Sequence, residues 1–164
     1  MHDWRGSNIQ LETQRILIES LIYQHKWSSA EIEIDSFAVK AGHYPLYRDS
    51  VDMALHNIGF FLAGYSLLLS CAEPRGLFLH LMSLPCFVEA VSSAQGEYRV
   101  KFDVLSLVLA MIQESHEEVG VYAVKTRQLA LNDASITGNP AWASLASMAL
   151  DAAQLLLNAD SASE

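Results

Sequence analysis

Charge is what this chain has least of. Asp, Glu, Lys and Arg make up 18% of its 164 residues, against about 25% in an ordinary soluble domain. Ile58–Ala72, Gly76–Val88 and Val104–Gln113 carry no formal charge at all. Each run still falls short of the ~20 predominantly apolar residues that span a bilayer. Extending the first backward takes in Asn57, His56 and Asp52; Pro85 interrupts the second, and Lys101 and Asp103 precede the third. The opening MHDWRGSN has neither a basic leader nor an apolar signal core. These absences predict a cytoplasmic protein with no membrane partner.

Other absences narrow the function. Two cysteines, Cys71 and Cys86, cannot staple a secreted framework, and both lie in apolar runs, which predicts buried, poorly reactive thiols. Six Arg and four Lys are scattered, and nineteen acids bring the net charge to −9. A phosphate backbone is repelled by that field, so no nucleic-acid partner is expected. The chain contains no G-x-G-x-x-G, G-x-x-x-x-G-K-[ST], G-x-S-x-G, H-E-x-x-H or paired C-x-x-C. No cofactor is predicted, and no metal.

What is present is helix. Helical spacing, caps and breakers predict an all-α fold, a compact bundle of six to seven helices in one domain over 1–164, with 1–7 and 159–164 frayed. Ser7 or Asn8 caps a first helix through about Lys26. Ser28-Ser29-Ala30-Glu31 fits a capping box for a second, which Gly42 stops. His43–Asp49 is an aromatic connection held by Pro45, followed by a third helix from about Ser50 to Ala72. A fourth begins near Gly76, kinks or restarts at Pro85 and closes at Gly96. Glu97 to about Val119 forms the next, with Gly120 as its break. Alternating residues leave strands open at 97–104 and 119–126. Asn139 and Pro140 give the last helix, Pro140–Asn158, the clearest start.

Several constellations carry candidate chemistry. Asp52 and His56 stand at i and i+4, so they share a helix face, and an acid beside an imidazole raises its basicity. Carboxylate-metal bundles use Glu-x-x-His pairs, which are missing here. Within Gln113–Glu118, Glu114 and Glu117 supply an E-x-x-E spacing without an E-x-x-D partner, and read as a solvated helix end. Trp27 and Trp142 read as core anchors. Weak ligand-binding candidates are Tyr44, Tyr47, Arg48, Asp52, His56 and Tyr65, and an internal apolar pocket would be lined by Phe60, Phe61, Tyr65, Phe78, Met82 and Phe87.

Arg75 and His80 form R-x4-H at the head of the fourth helix. This resembles the R-x(4–6)-H motif of HEPN ribonucleases, small all-α domains that dimerise to join two such motifs at a cleft. The resemblance covers six residues, and Gly76 stands where that family commonly has a polar residue. It implies phosphate binding by Arg75 and participation of His80 in RNA cleavage. The main expectation is different: a non-enzymatic acidic binding protein of adaptor, inhibitor or immunity-like type. Its partners would be another protein and a second copy, joined in a homodimer through the Ala-rich helix Pro140–Asn158. An apolar small-molecule-binding domain is the alternative.

Overall fold

The computed structural model describes residues 4–43, 48–69 and 71–162, with side chains over 9–42, 50–69 and 71–159. Among the described residues the fold is all-α, with nine helices and a 3-10 turn in place of the six or seven expected. They are α1 (Trp4–Tyr23), α2 (Trp27–His43), α3 (Arg48–Leu68), α4 (Ala72–Ser83), α5 (Pro85–Ser93), α6 (Glu97–Ile112), α7 (His116–Gln128), α8 (Ala134–Thr137) and α9 (Pro140–Ala162). No strand forms among them, so 97–104 and 119–126 belong to α6 and α7. In α6 the alternation belongs to a helix enclosed on all sides, whereas α7 leaves Val121 and Val124 about half exposed. From Val100 to Val108 every residue of α6 is buried, Lys101, Asp103 and Ser106 included. Residues 4–7 and 159–162 are helical where fraying is predicted, because each residue added to a formed helix gains a backbone bond.

α1 closes three residues before the expected Lys26 and α6 seven before the expected Val119, each on a left-handed non-glycine residue. At the α1–α2 turn, Lys26 N–H donates to Leu21 C=O (2.9 Å) and His25 N–H to Ile22 C=O (3.0 Å). His25 is left-handed, with φ 59°. The same Schellman pattern ends α6: Ser115 N–H reaches Ala110 C=O (3.0 Å), Glu114 N–H reaches Met111 C=O (3.1 Å), and Glu114 has φ 56°. Lys26 C=O then accepts from Ala30 N–H (2.9 Å), so α2 starts one residue ahead of Ser28 and the predicted capping box does not form. α2 ends at His43, one residue past Gly42, while Gly120 lies inside α7. The helix predicted through Val119 breaks at Glu114 instead, which puts Glu114 and Glu117 on opposite sides of a turn.

Other signals are realised as read. Asn139 Oδ1 accepts from Ala141 N–H (3.2 Å) and Trp142 N–H (3.4 Å) at the head of α9. Pro85 takes the first position of α5 after an extended Leu84, and α4 and α5 diverge by 67°. Gly96, at φ 59° and ψ −132°, precedes α6 in a region reserved for glycine.

α3 and α6 form the centre. The α1–α2 hairpin packs on α3, with α2 also against α4 and α5; α7 and α9 close the opposite side against α6. α3 and α6 approach closely at Gly59, where an added Cβ would lie 2.8 Å from Leu105 Cδ1. A Cβ at Gly64, one turn on, meets nothing within 4 Å. The two positions therefore respond oppositely. Gly59→Ala is expected to cost about 1–3 kcal/mol through overpacking, and Gly64→Ala to gain up to about 1 kcal/mol in helix propensity. Urea midpoints of the two variants check this, and a stabilised Gly59→Ala protein would contradict the α3–α6 contact.

Candidate functional site

α3 buries Val51, Leu55, Ile58 and Leu62 in the core. Its adjacent stripe (Phe60, Phe61, Gly64, Tyr65, Leu68) leaves the core and faces α9. There it forms one wall of an open groove of ≈ 310 Å³, the other wall being Ala141, Ser144, Leu145 and Met148. No lining residue is charged. Gly64 gives the groove its depth, since no side chain fills that position.

The floor is aromatic and leads inward to a polar cluster. Phe60 packs on Trp142 with ring centroids 5.1 Å apart. Trp142 packs in turn on His56 at 6.0 Å. His56 also meets Tyr98 at 5.1 Å and Phe102 at 6.1 Å. The Lys101 ammonium lies 5.6 Å from the Trp142 ring centroid and 3.6 Å from Glu97 Oε2. Its stem is thus enclosed while its head reaches the edge of the fold.

His56 is 3% exposed, and its Nδ1 has no hydrogen-bond partner. Burial, and secondarily the Lys101 charge, push its pKa down to about 4, against a smaller upward pull from the Asn57 side chain. This reverses the expected effect of Asp52. One turn earlier, Asp52 is half-buried, but the enclosed, cation-facing imidazole stays neutral at pH 7. His56 is a packed ring at the inner end of the groove.

No known protein family, curated protein or solved structure matches this chain. Functional inference rests on the geometry alone.

The remaining candidates disperse. Phe60, Phe61 and Tyr65 line the groove, while Phe78, Met82 and Phe87 are buried in the core. Tyr65 also meets His25 and Trp27 edge-on, at 5.3 and 6.0 Å. Tyr44, Tyr47 and the Arg48 side chain lie outside the described residues. Arg75 and His80 lie on different faces of α4. Arg75 Nε donates to Ser66 C=O (3.2 Å) at the end of α3, and His80 Nε2 contacts Asp35 Oδ1 of α2 (2.5 Å). Both are engaged in holding α4 to its neighbours.

Cys71 is exposed at the head of α4 and Cys86 is half-buried, so the expectation of two buried thiols fails. Helix α3 stops at Leu68 and α4 begins at Ala72, so Cys71 lies ahead of a helix and not within one. By length and composition α3 could cross a membrane (Ser50–Leu68, mean hydropathy 1.2), and half of that stretch is buried within the fold. Among the described residues no three His, Cys, Asp or Glu converge as metal ligands.

Of the internal pocket expected from sequence, Phe60, Phe61 and Tyr65 belong to this open groove; Gly64 and Leu68 of the same wall and Ala141, Ser144, Leu145 and Met148 opposite were not foreseen. Their three- and four-residue spacing was visible as a stripe. Which stripe it faces is a tertiary fact.

Proposed function

We propose that the protein is a non-enzymatic binding module, cytoplasmic, whose α3–α9 groove receives an apolar helical segment of a protein partner. The observation that carries this reading is the wholly uncharged groove, open along its length, whose walls include the 66%-exposed Leu68. A helix lays a stripe of i, i+4 and i+7 anchors into such a groove, and Met148 lets the wall adapt. The net charge of −9 favours a segment with basic flanks, which speeds encounter at low salt.

The test uses synthetic amphipathic helices with Leu anchors and Lys or Glu flanks. Intrinsic tryptophan fluorescence provides the readout, compared between wild type and Trp142→Phe to isolate the ring that packs on Phe60 at 5.1 Å. Basic-flanked peptides are expected to bind at micromolar Kd, corresponding to about −8 kcal/mol. Gly64→Leu, which fills the groove, should weaken binding at least tenfold without loss of fold. Equal binding to wild type and Gly64→Leu would reject the site. A small apolar molecule retained in native mass spectrometry and displaced by Gly64→Leu would assign the groove to the small-molecule alternative, whose usual volumes begin at about 300 Å³.

A further inference from the structure

The outer face of the α1–α2 hairpin carries a pattern that the monomer does not use. Ile32 and Val39 are 68% and 64% exposed on α2. Seven residues apart, they share one stripe of the helix. Beside that stripe, toward α1, stand Glu33 and Lys40, also seven apart. With Ile9, Thr13 and Leu17 of α1 they line a shallow groove of ≈ 580 Å³. Two turns of helix, about 10.5 Å, separate the acid from the base, beyond the three- or four-residue spacing at which helix charges pair. Lys40 makes no ion pair among the described residues.

We propose that two copies of this chain pair through this face, about a two-fold axis crossing α2 near Ser36. A two-fold interface must be self-complementary, each residue meeting its counterpart's partner. Antiparallel packing of α2 on α2 satisfies this twice. Glu33 of each copy faces Lys40 of the other, at the flanking positions where charges set orientation in paired helices, and Ile32 and Val39 form the shared apolar seam. A reversed pattern with two acids or two bases at these positions would repel itself.

Gln14 supplies an independent observation. It is 6% exposed, and its amide nitrogen donates to Glu33 Oε2 (3.1 Å) and to Glu33 C=O (3.3 Å). Its Oε1 is buried without a donor, which leaves a desolvated acceptor uncompensated. The ammonium of the second copy's Lys40 carries three N–H groups to this spot. It serves Glu33 and the orphaned Gln14 oxygen together, at the cost of a small side-chain adjustment. The face shares no lining residue with the α3–α9 groove, so the dimer leaves that groove open.

Sedimentation velocity over the micromolar range, with native mass spectrometry, tests the pairing. The wild type is expected at twice 18.1 kDa. Lys40→Glu and Glu33→Lys should each raise the dimer Kd by about tenfold or more, since each places like charges together twice. An equimolar mixture of the two variants should form a heterodimer at least tenfold tighter than either homodimer, because one copy then carries two acids and the other two bases. If Glu33→Lys loses its fold with its bond to Gln14, Val39→Asp replaces it. That exposed position tolerates charge in the monomer, and the dimer must weaken. A wild type that stays at 18.1 kDa at high micromolar concentration overturns the proposal. So do variants that dimerise like wild type, or a mixture with no preference for the heterodimer.

Discussion

The double substitution Ala146→Glu with Ala153→Glu is expected to abolish the cooperative thermal transition. On sequence grounds these positions would split a dimer and leave a folded monomer. The structure places both at 0% exposure, together with Ala149, on the face of α9 that packs against α6 and α7. Small side chains there let the helix backbones approach, so glutamate meets two penalties. Its extra methylenes overpack the seam, at about 1–3 kcal/mol per site. Its carboxylate must also be buried unpaired, at several kcal/mol per ion. Two such sites consume most of the ~5–15 kcal/mol that holds a domain together. Ser147→Glu, on the exposed face of the same helix, should melt like wild type. Circular dichroism on the three proteins decides it. A folded double variant would mean that α9 does not pack as described.

Acid should weaken the fold well above the pH at which surface carboxylates titrate. In the unfolded chain His56 titrates near 6.5, and in the fold near 4. Below pH 6.5 the unfolded state takes up the proton first, so stability falls with pH and levels off only below the folded value. This one group removes about 3 kcal/mol between pH 7 and pH 4. The groups facing His56 set the size of the effect. Lys101 from α6 repels the imidazolium, and the rings of Tyr98, Phe102 and Trp142 offer no solvation.

Asp103 works in the opposite sense. Burial raises its carboxyl above the usual range, against the nearby Arg99 and Lys125 charges, so protonation in acid favours the fold there. Asp133, the half-buried cap of the short α8, is held below its usual value by the Ser135 hydroxyl and N–H. His56→Phe should therefore flatten the pH 7-to-4 slope without abolishing later acid unfolding. Urea midpoints at several pH values measure it, and an unchanged slope in His56→Phe would refute the assignment.

Local chemistry was legible where it was sufficient. Asn139 and Pro140 specify a helix start by a side-chain acceptor and a fixed φ, which need no distant partner. Pro85 specifies a restart for the same reason. Helical periodicity and the lack of turn residues specified the all-α class, and two of the three uncharged runs, Ile58–Ala72 and Val104–Gln113, fall largely on the central helices α3 and α6. The break at Glu114 was illegible, because a glutamate rarely turns left-handed unless the packing around it holds it there. α7 must fold back on α6, and no neighbouring residue encodes that. The α1–α2 turn was legible to within a few residues, between about Lys26 and Ser28, but not the left-handed His25 that makes it.

The sequence by itself determined the helices, their apolar stripes and the near absence of charge around α3 and α6. The tertiary structure decided which stripes met. It enclosed Ala146 and Ala153, left Phe60 and Met148 facing each other across an open groove, and gave Arg75 and His80 separate partners. It also reversed the expected basicity of His56. Periodicity fixes the direction of a side chain relative to its own helix axis, whereas solvation and charge at that side chain depend on the neighbouring helices that cover it.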